Sequence, residues 1–66
     1  MNIGEKIKEL RLERGLSQLK LAKLIGVSQK AIDYWERGVN EPKASYLISL
    51  VKTFEVSFDE FFLDIE

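Results

Sequence analysis

The sequence predicts a compact all-α bundle of five short helices. Three observations carry this prediction: apolar residues recur at helical spacing, capping residues precede most of the apolar runs, and no run alternates with the period of a strand. The connections between runs are two to six residues long, and no internal repeat is visible. Because 66 residues can hold one modest core, we expect residues 1–66 to form a single domain.

The first helix is predicted over residues 3–14. Its inward stripe consists of Ile3, Ile7 and Leu10. Asn2 is a favourable N-cap, and Glu5 three residues later completes a capping-box pair. Gly15 follows the basic end of the helix, as is common just past a C-terminus.

The next two helices are predicted at Gln18–Ile25 and Gln29–Arg37, with Ser17 and Ser28 as their caps. Only Gly26 and Val27 lie between the first of these helices and the cap of the second. Two helices joined by so short a linker cannot lie antiparallel, so they must cross steeply. This geometry is that of a helix-turn-helix.

The third helix has only a narrow inward stripe, formed by Ile32, Trp35 and, at its margin, Ala31. The remaining face is polar and consists of Gln29, Lys30, Asp33, Tyr34 and Arg37. Half of this helix is therefore predicted to be free of any role in the core.

The last third of the chain predicts two more helices after a loop that Pro42 fixes. The fourth helix, at about residues 44–54, has an inward stripe of Leu47, Leu50, Val51 and Phe54. Ser57 and Glu60 form a second capping box, which starts a short fifth helix.

The composition excludes several kinds of site. The chain has no cysteine and no histidine, so disulfides and the usual thiol, imidazole and zinc chemistry are absent. No carboxylate pair has a catalytic spacing, and we expect no catalytic residue, no cofactor, no metal and no small-molecule substrate. With no long apolar run and no signal-peptide pattern, we expect a soluble, cytoplasmic protein without membrane contact.

The charge is unevenly distributed along the chain. Residues 1–43 carry nine lysines and arginines against six acidic residues, a net +3, whereas residues 44–66 carry one lysine against five acidic residues, a net −4. This difference favours an anionic partner for the first part and a different role for the second.

These features resemble the helix-turn-helix domain of lambdoid phage repressors, Cro proteins and similar bacterial regulators. The matching elements are Ile7-x-x-Leu10-Arg11, Gly15-Leu16-Ser17-Gln18, Leu21-Ala22, Ile25-Gly26-Val27-Ser28, Ile32, Trp35-Glu36-Arg37-Gly38, Pro42, Leu47-x-x-Leu50 and Val56-Ser57. They cover about residues 3–62. The resemblance implies a transcriptional regulator that binds double-stranded DNA sequence-specifically and acts as a repressor.

In this family the N-terminal residues of the third helix approach base edges in the major groove. The resemblance therefore assigns base contacts to Gln29, Lys30, Asp33 and Tyr34. Glutamine can pair with adenine, lysine can donate to guanine, and aspartate can accept from a cytosine amino group. Tyr34 can instead contact a phosphate, or cover the core beside Trp35.

The resemblance also assigns positioning roles. Contacts to the DNA phosphates fall to Gln18, Ser28, Arg37, Asn40 and Lys43. Arg11 and Glu36 are assigned a partly buried ion pair that joins the first helix to the third. Two departures from the family's usual pattern stand out: Glu55, where a glycine often ends the fourth helix, and Asp33, whose charge opposes phosphate.

The acidic C-terminal end is rich in apolar residues. We expect one or two of its rings to complete the core and the remainder to form a partner surface. Because the family commonly binds DNA as two-fold dimers, we assign a homodimer interface to Phe58, Phe61, Phe62, Leu63 and Ile65. The alternative function is a helix-turn-helix scaffold that binds another regulator or a toxin through this end, in the manner of an antirepressor or antitoxin.

Overall fold

The computed structural model describes all 66 residues and contains five α-helices and no strand. The helices are α1 (Ile3–Glu13), α2 (Gln18–Ile25), α3 (Gln29–Arg37), α4 (Ala44–Phe54) and α5 (Phe58–Phe62). The all-α prediction and the positions of the five helices are confirmed. The first helix ends one residue earlier than predicted, because Arg14 leaves the helical conformation and caps it. None of the five combines the length and apolar character that a membrane span requires.

All five helices contribute to one core. Its buried members are Ile7, Leu10, Leu21, Ala22, Ile32, Trp35, Leu50, Val51, Phe54 and Phe61. Three residues of the predicted inward stripes are only partly buried, namely Ile3, Ala31 and Leu47. They lie at the margin of the apolar stripes, where a side chain covers the core without being enclosed by it.

Four helices end in the same way. The residue after α2, Gly26, has a φ of 85°, and the amide of the next residue, Val27, donates to the carbonyl of Ala22 at 3.0 Å. The ends of α1, α3 and α4 repeat this Schellman arrangement, each with an apolar residue directly after the left-handed one. At α4 the left-handed residue is Glu55, with a φ of 57°, and no other non-glycine residue has a positive φ.

α1 and α3 approach each other very closely at Gly4. A β-carbon on this buried residue would lie 2.0 Å from the carbonyl oxygen of Trp35. Only glycine lets the two backbones come this near. α3 packs against both α1 and α2, so its position is fixed from two sides.

Candidate nucleic-acid interface

The first turn of α3 presents its side chains to solvent. Gln29 and Lys30 are exposed and make no side-chain hydrogen bond or ion pair. Ser28 caps the helix, with its Oγ accepting from the amide of Ala31 at 3.1 Å. The amides of Gln29 and Lys30 have no acceptor in the protein. This end of α3 thus offers both side-chain and backbone donors.

Further along the same face, Tyr34 lies between two cations. The Nζ of Lys30 is 5.7 Å from the centre of its ring, and the Cζ of Arg37 is 5.3 Å from it. The aromatic partner of Trp35 is Tyr46, at 5.6 Å between ring centres. Tyr34 therefore belongs to the charged surface, and Tyr46 is the ring that covers Trp35.

Asp33 is engaged within the protein. Its Oδ2 accepts from the Nε of Arg37 at 3.0 Å, and its Oδ1 accepts from the Nε2 of Gln18 at 3.4 Å. The hydrogen bond from Arg37 is the main cause that holds the pKa of the Asp33 carboxyl below its usual value; partial burial opposes it, and Gln18 and the charge of Arg37 assist it. The carboxylate is accordingly ionised at neutral pH.

The inner side of α3 is tied to α1 by an ion pair. The Nε of Arg11 donates to Glu36 Oε2 at 2.6 Å, and its Nη2 donates to Oε1 at 3.1 Å. A third donor of the same guanidinium, Nη1, bonds the carbonyl of Leu16 at 2.8 Å. The two side chains are only 9% and 3% exposed, so the pair is almost completely removed from water.

Gln18 stands at the start of α2 and connects the two sides of α3. Its Nε2 donates to Glu36 Oε1 at 3.1 Å as well as to Asp33. Ser17 caps α2 by accepting from the amide of Lys20, which leaves the amides of Gln18 and Leu19 without an acceptor in the protein. A helix start with free amides favours an anion.

The two remaining residues assigned to phosphates lie in or beside the loop after α3. Asn40 and Lys43 are both exposed, and neither side chain makes a hydrogen bond or an ion pair within the chain. Arg37 is exposed as well, but it is held by Asp33. Of the donors assigned to phosphates, Asn40 and Lys43 are therefore the freest.

The C-terminal surface requires one correction. Phe61 has no exposed area and belongs to the core, so its assignment to a dimer interface was wrong: a fully enclosed ring cannot contact a second molecule. The other members of that set remain accessible: Phe58 is 49% exposed, Phe62 38% and Leu63 77%, while Ile65 is half-buried.

Two structural contacts, made by the side chains of Lys6 and Arg14, are not predicted from the sequence. Lys6 is buried, with its Nζ 3.7 Å from Glu9 and 3.5 Å from Asp64. Arg14 donates from its Nε to the carbonyl of Phe54 at 2.8 Å, and so satisfies the end of α4. The helical periodicity of the sequence gives no sign of the Lys6–Asp64 and Arg14–Phe54 contacts, because each joins residues far apart in the chain.

Comparison with known proteins gives a consistent result. The model of the helix-turn-helix family matches residues 7–61. A transcriptional regulator in the ATPase CF(0) region of Rhodospirillum rubrum is 38% identical over 65 residues, which make up 98% of this chain and 60% of that protein. The repressor protein C2 of Salmonella phage P22 is 39% identical over 57 residues, or 86% of this chain and 26% of that repressor. The chain thus spans between 26% and 60% of the length of these two relatives.

A solved structure agrees in fold. The crystal structure of the P22 c2 repressor in complex with a synthetic operator superposes with a TM-score of 0.85 at 36% sequence identity, covering 92% of both chains. At this identity and coverage the likeness extends to the whole arrangement of five helices, including the two that form the helix-turn-helix.

Proposed function

The chain belongs to the helix-turn-helix family, the family of phage repressors and related regulators that its sequence resembles, and from this premise we propose that it is a sequence-specific double-stranded-DNA-binding regulator that acts as a repressor. The observation that carries the proposal is the division of α3 into a clamped inner side and an exposed, hydrogen-bonding outer side. The P22 c2 repressor, which is similar over nearly the whole chain, is described in complex with an operator.

In this proposal α3 enters the major groove with its N-terminal end. Gln29 and Lys30 are the first readers, since their side chains are exposed and make no hydrogen bond or ion pair within the protein. Tyr34 follows one turn later and contacts a base or a thymine methyl group with its ring. The Arg11–Glu36 pair holds α3 at a fixed orientation, which base readout requires.

The phosphates flanking the groove are bound from both ends of the helix-turn-helix. The free backbone amides at the start of α2 and the side-chain amide of Gln18 bind phosphates of one strand. The phosphates next to α3 are bound by Ser28, Asn40, Lys43 and Arg37. These contacts position the protein and carry no sequence information of their own.

We further propose that the protein binds as a homodimer and that residues 1–66 form one DNA-binding domain in the cytoplasm. One copy is 26 Å across at most, which is less than the roughly 34 Å between equivalent half-sites on DNA. Two copies are thus needed to read a two-fold operator. The exposed Phe58, Phe62 and Leu63, with Ile65 beside them, supply an apolar surface for the contact.

The alternative function, a scaffold that only binds other proteins, gains no support from the relatives, which are named as a transcriptional regulator and a repressor.

The main test is DNA binding across a salt series. Bound sites are first selected from random DNA, and affinity is then measured by fluorescence anisotropy on a selected and an unrelated duplex. About six phosphate contacts predict a slope of log K against log salt near −5. Binding that is absent, or that does not depend on salt, would refute the proposal.

Substitutions then separate readers from phosphate ligands. Gln29→Ala and Lys30→Ala should each cost about 1–3 kcal/mol and relax selection at one base position, whereas Gln18→Ala should weaken binding to all sequences alike. Lys52→Ala is the matched control for the lost charge, because Lys52 is exposed on α4 and outside the proposed surface.

The proposed dimer is tested by sedimentation of Phe58→Ser and Leu63→Ser variants. An unchanged dimer in both variants would exclude this surface as the interface.

A further inference from the structure

One acidic side chain lies in the middle of the proposed DNA-binding face. Asp33 is one helical turn after Gln29 and one turn before Arg37, and both of these neighbours are assigned to DNA. A carboxylate in this position repels phosphate. A surface whose only task was to bind DNA tightly would not place an acidic residue there, so the contacts of Asp33 must explain its role.

Those contacts are made with two of the donors assigned to phosphates. The Nε of Arg37 donates to Asp33 Oδ2 at 3.0 Å, and the Nη2 of Arg37 lies 2.9 Å from the same oxygen. Gln18 Nε2 reaches the other oxygen at 3.4 Å. The carboxylate thus offers Arg37 an anionic acceptor of the kind that a DNA phosphate would offer.

The two donors differ in what else holds them. Gln18 keeps a shorter hydrogen bond to Glu36, at 3.1 Å, and would stay in place without Asp33. Arg37 has only the ring of Tyr34 besides Asp33, with its Cζ 5.3 Å from the ring centre. Removing the carboxylate would consequently release Arg37 and leave Gln18 where it is.

We propose that Asp33 is a positioning residue that competes with DNA phosphate for Arg37 and thereby limits the affinity of the protein for every duplex. This inference rests on the proposed DNA-binding function. As long as the carboxylate neutralises Arg37, the guanidinium adds little to the release of counterions from DNA. Asp33 therefore limits the part of the affinity that comes from phosphate contacts and does not depend on the DNA sequence.

The test is Asp33→Asn, an isosteric change at a partly exposed site, with a thermal melt to confirm folding. We expect the variant to bind a selected and an unrelated duplex about two- to fivefold more tightly, the change that corresponds to release of an exposed ion pair. The slope of log K against log salt should steepen by about 0.9, equivalent to one more phosphate contact. In an Arg37→Gln background the same substitution should gain nothing.

Each other outcome contradicts the inference. A gain that persists in the Arg37→Gln background would show simple charge repulsion in place of competition for Arg37. A loss confined to one base position would make Asp33 a base reader, and a loss on all sequences would mean that it presents Arg37 to the phosphate. Absence of salt-dependent binding in the unsubstituted protein would refute the proposed function itself, and this is seen before any variant is made.

Discussion

The two sides of α3 are built from different kinds of contact. On the inner side, Ile32 is fully buried and Glu36 is bound by Arg11 from another helix. On the outer side, Lys30 and Arg37 contact Tyr34 of the same helix, and only the long hydrogen bond from Gln18 to Asp33 reaches beyond it. The inner side joins separate helices, whereas the outer side is nearly independent of the rest of the fold.

Because of this difference, stability and recognition can be changed separately in a very small protein. Contacts between helices are lost when the chain unfolds, so their removal lowers the free energy of unfolding. Side chains that contact only their own helix contribute little to that free energy and remain available to a ligand. If this separation holds, substitutions on the inner side of α3 should lower stability far more than substitutions on its outer side.

Breaking the inner ion pair should have the largest effect. Glu36→Ala leaves the nearly buried guanidinium of Arg11 with the carbonyl of Leu16 as its only remaining partner. Loss of one partner of a buried pair costs about 3–5 kcal/mol. A domain of this size has about 3–10 kcal/mol in total. The variant should therefore lose roughly a third of its stability or more, and a urea titration followed by circular dichroism should show a marked fall of the unfolding midpoint.

The outer ion pair provides the matched control for this experiment. Arg37→Ala removes the partner of Asp33 on the same helix, but both side chains are partly exposed, at 58% and 38%. Exposed ion pairs contribute little to stability, so the loss should be only a small fraction of the loss in Glu36→Ala. Equal losses of stability in the two variants would show that the sides of α3 do not differ as described.

Adding a single methyl group between α1 and α3 should have the next largest effect. In Gly4→Ala the new β-carbon would meet the carbonyl oxygen of Trp35 at 2.0 Å, so the two backbones must separate. Overpacking of this kind costs about 1–3 kcal/mol. Thermal denaturation checks the size of the loss, and Lys8→Ala, an exposed substitution one turn further along α1, should change stability by less than about 0.5 kcal/mol.

A stabilising change is expected at the end of α4, away from both sides of α3. Glu55 has a left-handed backbone, with φ 57° and ψ 42°, where the equivalent ends of α1, α2 and α3 have glycine. That conformation costs a non-glycine residue about 1–2 kcal/mol, and the flexibility of glycine in the unfolded chain offsets part of the difference. Glu55→Gly should therefore raise the unfolding free energy by about 0.5–1 kcal/mol.

The sign of this change is checked inside the same helix. Lys52→Gly places glycine at an exposed, right-handed position of α4 and should lower stability by about 1 kcal/mol. DNA affinity should remain the same in both variants if stability and recognition are separable. A parallel change in affinity would argue against that separation.

The sequence was sufficient for the helices because their information is local. Ser17, Ser28 and Ser57 each cap the helix that the pattern assigns to them, and each accepts from an amide three residues later. The sequence also indicates an unusual end for α4, because Glu55 stands where a glycine is usual. It does not reveal that the helix nevertheless ends with a left-handed residue, as the other three do.

The interactions that the sequence did not reveal depend on packing. Gly4 looks like an ordinary first-turn residue, and only the approach of α3 gives it a role. The Asp33–Arg37 pair has the spacing of an intrahelical ion pair, but the family resemblance assigns each of the two residues to DNA. Their competition becomes visible only when the distances between side chains are known.

The smallest predicted effect concerns the charge of the outer side itself. The hydrogen bond from Arg37 holds the pKa of the Asp33 carboxyl below its usual value. A lowered carboxyl pKa stabilises the fold at pH values above the ordinary pKa of about 3.9, and the contribution is lost as the pH falls through the folded-state pKa. Because the group is partly exposed, this contribution should be small and confined to acid pH.

The pKa itself can be measured by an NMR titration of the carboxyl carbon. Arg37→Gln should return the pKa of Asp33 towards its ordinary value. The hydrogen bond from Gln18 and the neighbouring charge of Glu36 remain in that variant. Lys52→Gln, which removes a charge from α4, should leave the titration unchanged. An Asp33 pKa that stays low without Arg37 would show that the outer side is held by the rest of the fold after all.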